Sequence, residues 1–203
     1  MLCSDASRRK PGQIAGLTAE GEAVRPPNYN TVAIALHWLI GVAILAQISF
    51  GFLLDEIAPR NTPARTGVIN LHKSIGICIG LLIIARLLWR LMHRPPAWPE
   101  SMAKWQQSAA TWGHGLMYVC MLVMPLSGYI GSNFSKHGVK FFGKALAPWG
   151  PDSPAVYSFF NTVHVTTAFI FTALIVGHIL VAAKHGLIDR DGVFTRMWPG
   201  RSR

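Results

Sequence analysis

The chain has 203 residues, 51% of them hydrophobic and only 14% charged, with a formal net charge of +10. Soluble domains carry about 25% charged residues, and here the apolar residues come in long blocks, which argues against a soluble globular domain. The basic residues fall between those blocks, so the positive charge reads as membrane topology and implies no nucleic acid.

Residues 1–29 are polar, with Pro11, Pro26 and Pro27 and no apolar core of a signal peptide, and read as a disordered cytoplasmic tail. The first span then directs its own insertion. Four apolar blocks follow, about 31–54, 68–92, 107–131 and 155–185, each near the roughly 20 residues a spanning helix needs. Asn30 and Thr31 can cap the first helix. "DEIAPRNTPARTG" links the first two spans. Pro95, Pro96 and Pro99 forbid a continuing helix between the second and third. A long loop over 134–153 joins the third and fourth, with Phe141, Phe142 and Trp149 suited to headgroup depth. Residues 188–203 form a basic segment suited to resting on the inner leaflet. The expected fold is an all-α membrane protein, a four-transmembrane-helix bundle. Its domains are the tail 1–29, a transmembrane domain 30–187 and the basic C-terminal segment 188–203.

Of the 19 lysines and arginines, thirteen lie before the first span, between the second and third, or after the fourth. Six lie on the opposite side: Arg60, Arg65, Lys73, Lys136, Lys140 and Lys144. By the positive-inside rule both termini are cytoplasmic and the protein is a multi-pass inner-membrane protein in contact with the lipid bilayer. Of the three cysteines, Cys78 and Cys120 fall within spans, where they pack as small apolar residues. No C-x-x-C-H motif for covalent haem attachment exists.

The histidines sort by depth. His37, early in span one, and His178, late in span four, share the cytoplasmic side. His72, opening span two, and His164, early in span four, share the outer side. Fourteen residues separate His164 from His178, about 21 Å of rise and only about 40° short of four full turns, so both rings project from nearly one helix face. Two histidines per layer are too few for tetrahedral zinc, and the spans lack the glutamates of a di-iron site. Haem asks the protein for only one or two axial ligands. Two bis-histidine b haems, His37 with His178 and His72 with His164, would form an electron path across the bilayer. Gly41 and Gly76 follow His37 and His72 by one turn, leaving room for a porphyrin face. Arg86 follows His72 by fourteen residues and so reaches the inner layer, where it would pair with haem propionates. An interhelical hydrogen bond is the plainer reading of any one intramembrane histidine. His114 competes for a place in the inner layer. His93 and His137 fall in loops. His185 sits at the inner interface, where ordinary snorkelling is the plainer reading and a quinone or proton role the alternative.

"ALHW" (35–38), "LHKSIG" (71–76), "ARLLWRL" (85–91), "RPP" (94–96), "MPLSG" (124–128), "VH" (163–164), "GH" (177–178) and "KHGLIDRDGV" (184–193) together resemble the bacterial cytochrome b561 family. The resemblance covers about residues 29–200. It implies two haem b groups with the pairing above, electron exchange with ubiquinone, and for some members superoxide oxidase activity with a periplasmic electron donor. It also associates His185 with the quinone site. Many members have "KHH" where this chain has Lys184-His185-Gly186. A cytochrome b anchor subunit linking a partner dehydrogenase or hydrogenase to the quinone pool is the alternative. A transporter with paired-histidine proton relays is weakened by the lack of intramembrane acidic residues.

Overall fold

Asn30 opens the first helix as the sequence predicts: its Oδ1 accepts the Ala33 N–H at 2.8 Å, a side-chain cap for a donor the helix itself leaves unpaired. The structure is a computed structural model and describes residues 28–99 and 102–200. The expected tail lies outside the described residues except for Asn28 and Tyr29, as does the 201–203 end of the C-terminal segment. Helix α1 spans Thr31–Phe52, and a single turn α2 spans Leu54–Ile57. Then come α3 (Ala64–Met92), α4 (Lys104–Asn133) and α5 (Pro154–Lys184). Among the described residues, α1, α3, α4 and α5 are the helices long and apolar enough to cross a membrane. Their outward faces carry exposed Leu39, Leu45, Leu81, Leu88, Phe169 and Leu180, the pattern of a surface that meets lipid.

Two helices are longer than the apolar blocks suggest. Helix α3 starts four residues before position 68, because Pro63 already holds a helical conformation (φ −59°, ψ −32°) and proline suits a helix start. Arg65 fixes this polar first turn by donating to the carbonyls of Leu54 and Ala58 and pairing with Asp55. Helix α4 begins at Lys104 in a polar turn, where the Ala103 N–H donates to Gln106 Oε1 at 3.0 Å. It runs on through Pro125, which packs where a Cβ on Gly80 would come within 3.1 Å.

Helix α4 packs most extensively on α5, α1 packs on α3, and α3 on α4. Neither α1 nor α3 makes comparable backbone contact with α5. The buried core lies at mid-height and consists of Ile40, Ile44, Ile79, Ile83, Cys120 and Phe171.

The 134–153 loop contains structure that its sequence does not announce. Strands β1 (Val139–Phe141) and β2 (Lys144–Leu146) pair antiparallel across Phe142-Gly143. Both turn residues have positive φ, 45° and 89°, as a two-residue hairpin turn requires. Fully buried Ser74 anchors it: its Oγ accepts the Phe142 N–H at 2.9 Å and lies 2.7 Å from the Asn70 carbonyl. Lys73 donates to the Gly138 carbonyl at 2.9 Å.

At the opposite end, where residues 28 and 200 lie, the C-terminal segment docks on the bundle. Helix α5 widens into a π-turn over His185–Asp189, and a short 3-10 turn follows at Phe194–Met197. Trp38 Nε1 donates to the Met197 carbonyl at 2.7 Å and its ring meets Trp198 edge-on. Buried Arg196 donates to the Ala97 carbonyl at 2.6 Å. These bonds seat the segment against protein at Trp38 and Ala97, a tie the leaflet-resting expectation lacks.

Candidate functional site

The fourteen-residue spacing in α5 brings two histidine layers into being. At the hairpin end, His72 of α3 and His164 of α5 hold their ring centres 6.3 Å apart. At the terminal end, His37 of α1 and His178 of α5 hold theirs 6.1 Å apart. Two imidazoles on opposite sides of one metal ion would stand about 6 Å apart, taking about 2 Å per metal–nitrogen bond and about 1 Å from nitrogen to ring centre. Both pairs therefore have the separation that one haem iron with two axial histidines demands. The backbone agrees, because the paired rings come from helices that do not pack closely on each other.

His114 enters the inner layer as well, with its ring centre 5.6 Å from that of His178. It comes from α4, however, which packs directly on α5. His37 differs in coming from α1, which makes no comparable contact with α5.

The outer layer is held by side chains with defined donors. His164 Nδ1 lies 2.9 Å from the Met124 carbonyl oxygen. A carbonyl only accepts, so Nδ1 carries the proton and the Nε2 lone pair remains for a metal. Gly128 makes this approach feasible, since a Cβ there would come within 3.2 Å of the ring. Gly51 does the same for His72, at 3.3 Å. Sequence reasoning missed Gln47, whose Nε2 donates to the His72 carbonyl at 2.7 Å and lies 3.1 Å from Nδ1. The available signal was a single amide in an otherwise apolar helix, at the depth of the outer layer. A cavity of about 810 Å³ surrounds this pair, lined in part by Gln47, Gly51, Gly128 and Phe171, within the range of cofactor sites.

The glycines expected to face a porphyrin divide. Gly41 has open space where a Cβ would stand, whereas Gly76 is filled by Gln47 Nε2 at 3.4 Å. Arg86 reaches the inner layer, donating to the Ala33 carbonyl at 3.0 Å with Nη2 3.4 Å from His37 Nδ1. His185 is buried rather than snorkelling: its Nδ1 sits 2.7 Å from Asp191 and 3.4 Å from Asp189, whose carboxylate also pairs with Lys184. Gly186 lies under Phe194, and a Cβ there would come within 3.0 Å of that ring. His93 stacks on Trp89 and His137 is exposed, both outside the layers.

Comparison with known proteins identifies the family. The family described as Prokaryotic cytochrome b561 matches residues 28–200. The chain is 28% identical to cytochrome b561 homolog 2 of Escherichia coli K12 over 173 residues, covering 85% of this chain and 92% of that protein. It is 25% identical to cytochrome b561 homolog 1 of the same organism, covering 85% and 98%. It is also 25% identical to the probable superoxide oxidase CybB of Yersinia pestis, covering 84% and 96%. The chain belongs to the prokaryotic cytochrome b561 family and is a membrane electron-transfer cytochrome that binds b-type haem.

Proposed function

We propose that this cytochrome carries electrons between an external donor and ubiquinone through two b haems, one in each histidine layer. The observation that carries the reading is the pair of 6.1 and 6.3 Å ring separations, each bridging helices that stand apart. His37 and His178 would hold the inner haem and His72 and His164 the outer. Each b haem supplies a reversible one-electron couple, and two imidazole ligands leave no open coordination site for oxygen chemistry.

The chain's own groups do the rest. Met124 and Gln47 fix the outer rings in place. Arg86 brings a positive charge beside His37, suited to inner-haem propionates. His185, held by Asp191, stands at the terminal end as a proton-bearing group for quinone. The thirteen-to-six division of lysines and arginines supports termini in the cytoplasm, with residues 30–187 as the cytochrome domain.

The donor we favour is superoxide. One relative is named a probable superoxide oxidase, and the outer cavity is lined by Arg60, Arg65, Lys73 and Lys136 against Asp55 and Asp152, with Asp55 paired to both arginines, a cationic excess that favours small anions. The test is ubiquinone reduction by the purified, haem-loaded protein with superoxide as donor. Reduction above the uncatalysed rate, abolished with loss of either haem, is expected. A rate equal to buffer would overturn the reading. An anchor-subunit role would instead show as a second subunit co-purifying through the exposed Phe142 and Trp149 of the hairpin region.

A further inference from the structure

A second cavity, of about 340 Å³, lies at the terminal end between the start of α1, the last turns of α3, Tyr118 of α4 and Met197. It is large enough for a small polar group. Arg86 and Arg90, one turn apart on α3, line it together with Arg94, which lies just beyond the end of the helix. Among the described residues no carboxylate lines it. Arginines at a helix end are commonly just solvated, but two observations point inward. The Arg90 guanidinium lies over the Tyr118 ring, 5.4 Å from its centroid, and so is engaged with an aromatic face. The Tyr118 hydroxyl is buried and has no hydrogen-bond partner among the described residues. A buried phenol ordinarily finds one, so this hydroxyl is placed to meet a group in the cavity.

Arg86 is already directed to Ala33 and His37, which leaves Arg90, Arg94 and Tyr118. Their chemistry, two planar cations and one O–H donor, suits a phosphate. Its depth suits a lipid one. Tyr29 and Trp89 line the same cavity, amphipathic rings of the kind found at headgroup level. Leu88, Leu91 and Met92, at the same depth, stand exposed on the other side of α3, so the cavity opens at the level of a helix face that meets lipid. We propose that this cavity holds the phosphate of an anionic membrane phospholipid, gripped by Arg90 and Arg94 and by the Tyr118 hydroxyl. Basic pockets between transmembrane helices bind acidic headgroups by this chemistry.

The test uses the full-length, haem-loaded protein, delipidated and then given phosphatidylglycerol, phosphatidylcholine or inorganic phosphate, with bound lipid read by native mass spectrometry. Phosphatidylglycerol should be retained in preference to phosphatidylcholine. The double variant Arg90→Gln, Arg94→Gln should weaken retention by about tenfold or more. Tyr118→Phe should weaken it less, and the haem spectrum should stay unchanged in both. Equal retention by variant and wild type, or of both lipids, overturns the proposal. Competition by inorganic phosphate as effective as phosphatidylglycerol assigns the cavity to a soluble anion and overturns the lipid source. Lipid loss only together with haem loss assigns the cavity to haem propionates and overturns it equally.

Discussion

His164 Nδ1 donates to the Met124 carbonyl at 2.9 Å, and that one bond commits the ring to its Nδ1–H tautomer, with Nε2 left for ligation. Asymmetry between the layers follows, because among the described residues no carbonyl holds His178 in this way. Replacing His164 with alanine should remove the outer haem and leave the inner one, and His178→Ala should do the reverse. Haem quantitation per chain, with the reduced α-band, should read about half of wild type in each case. Equal loss of both haems from either change would mean the bundle had collapsed.

Gln47 supports His72 without being a ligand. Gln47→Ala should weaken outer-haem retention by about ten- to a hundredfold, the usual cost of removing a group that orients a metal ligand. The inner haem is the control. Haem-transfer kinetics that slow or accelerate both haems alike would remove Gln47 from this role.

Because α4 packs on α5 whereas α1 stands apart from it, the proposed pairing predicts that His114→Ala keeps its inner haem while His37→Ala loses it. A preserved α-band in His37→Ala with loss in His114→Ala would reverse the assignment.

Gly186 lies against Phe194, so Gly186→His should press on the ring and loosen the docked C-terminal segment. The expected cost is about 1–3 kcal/mol of overpacking, read as a lower Tm and faster proteolysis after residue 186. Phe194→Ala in the same chain should recover much of it, a coupling expected of groups in contact. Purely additive losses would mean that the two sites do not touch.

Ser74 holds the hairpin through the Phe142 N–H. Ser74→Ala would leave that donor unpaired at a cost of about 1–3 kcal/mol. Amide exchange at Phe142 should accelerate while exchange in the α5 core stays slow.

The spans were legible because about 20 apolar residues in a row have few other uses, and the histidine pairing because depth and helical rotation follow from residue number alone. What escaped depends on contacts between distant residues. Arg65 makes a helix turn of sequence that hydropathy reads as loop. The hairpin rests on Ser74, more than sixty residues away in sequence. Seating of the C-terminal segment needs Trp38 and Ala97 as partners, and no local pattern in "VFTRMWPG" names them. Gln47 was visible as a residue but not as a partner, since its role depends on how α1 and α3 meet.

Phe171 stands seven residues from each α5 histidine, inside a plug of isoleucine and cysteine with no Asp, Glu, Lys, Arg or His. Under the proposed path, an electron crossing this plug has no proton carrier beside it. Each passage then displaces net charge through the insulating part of the bilayer, worth at most about 2.3 kcal/mol per 100 mV. The membrane voltage thereby becomes a participant in the reaction, favouring transfer one way and opposing the other. A plug that looks like mere filling makes the cytochrome responsive to how energised its cell is.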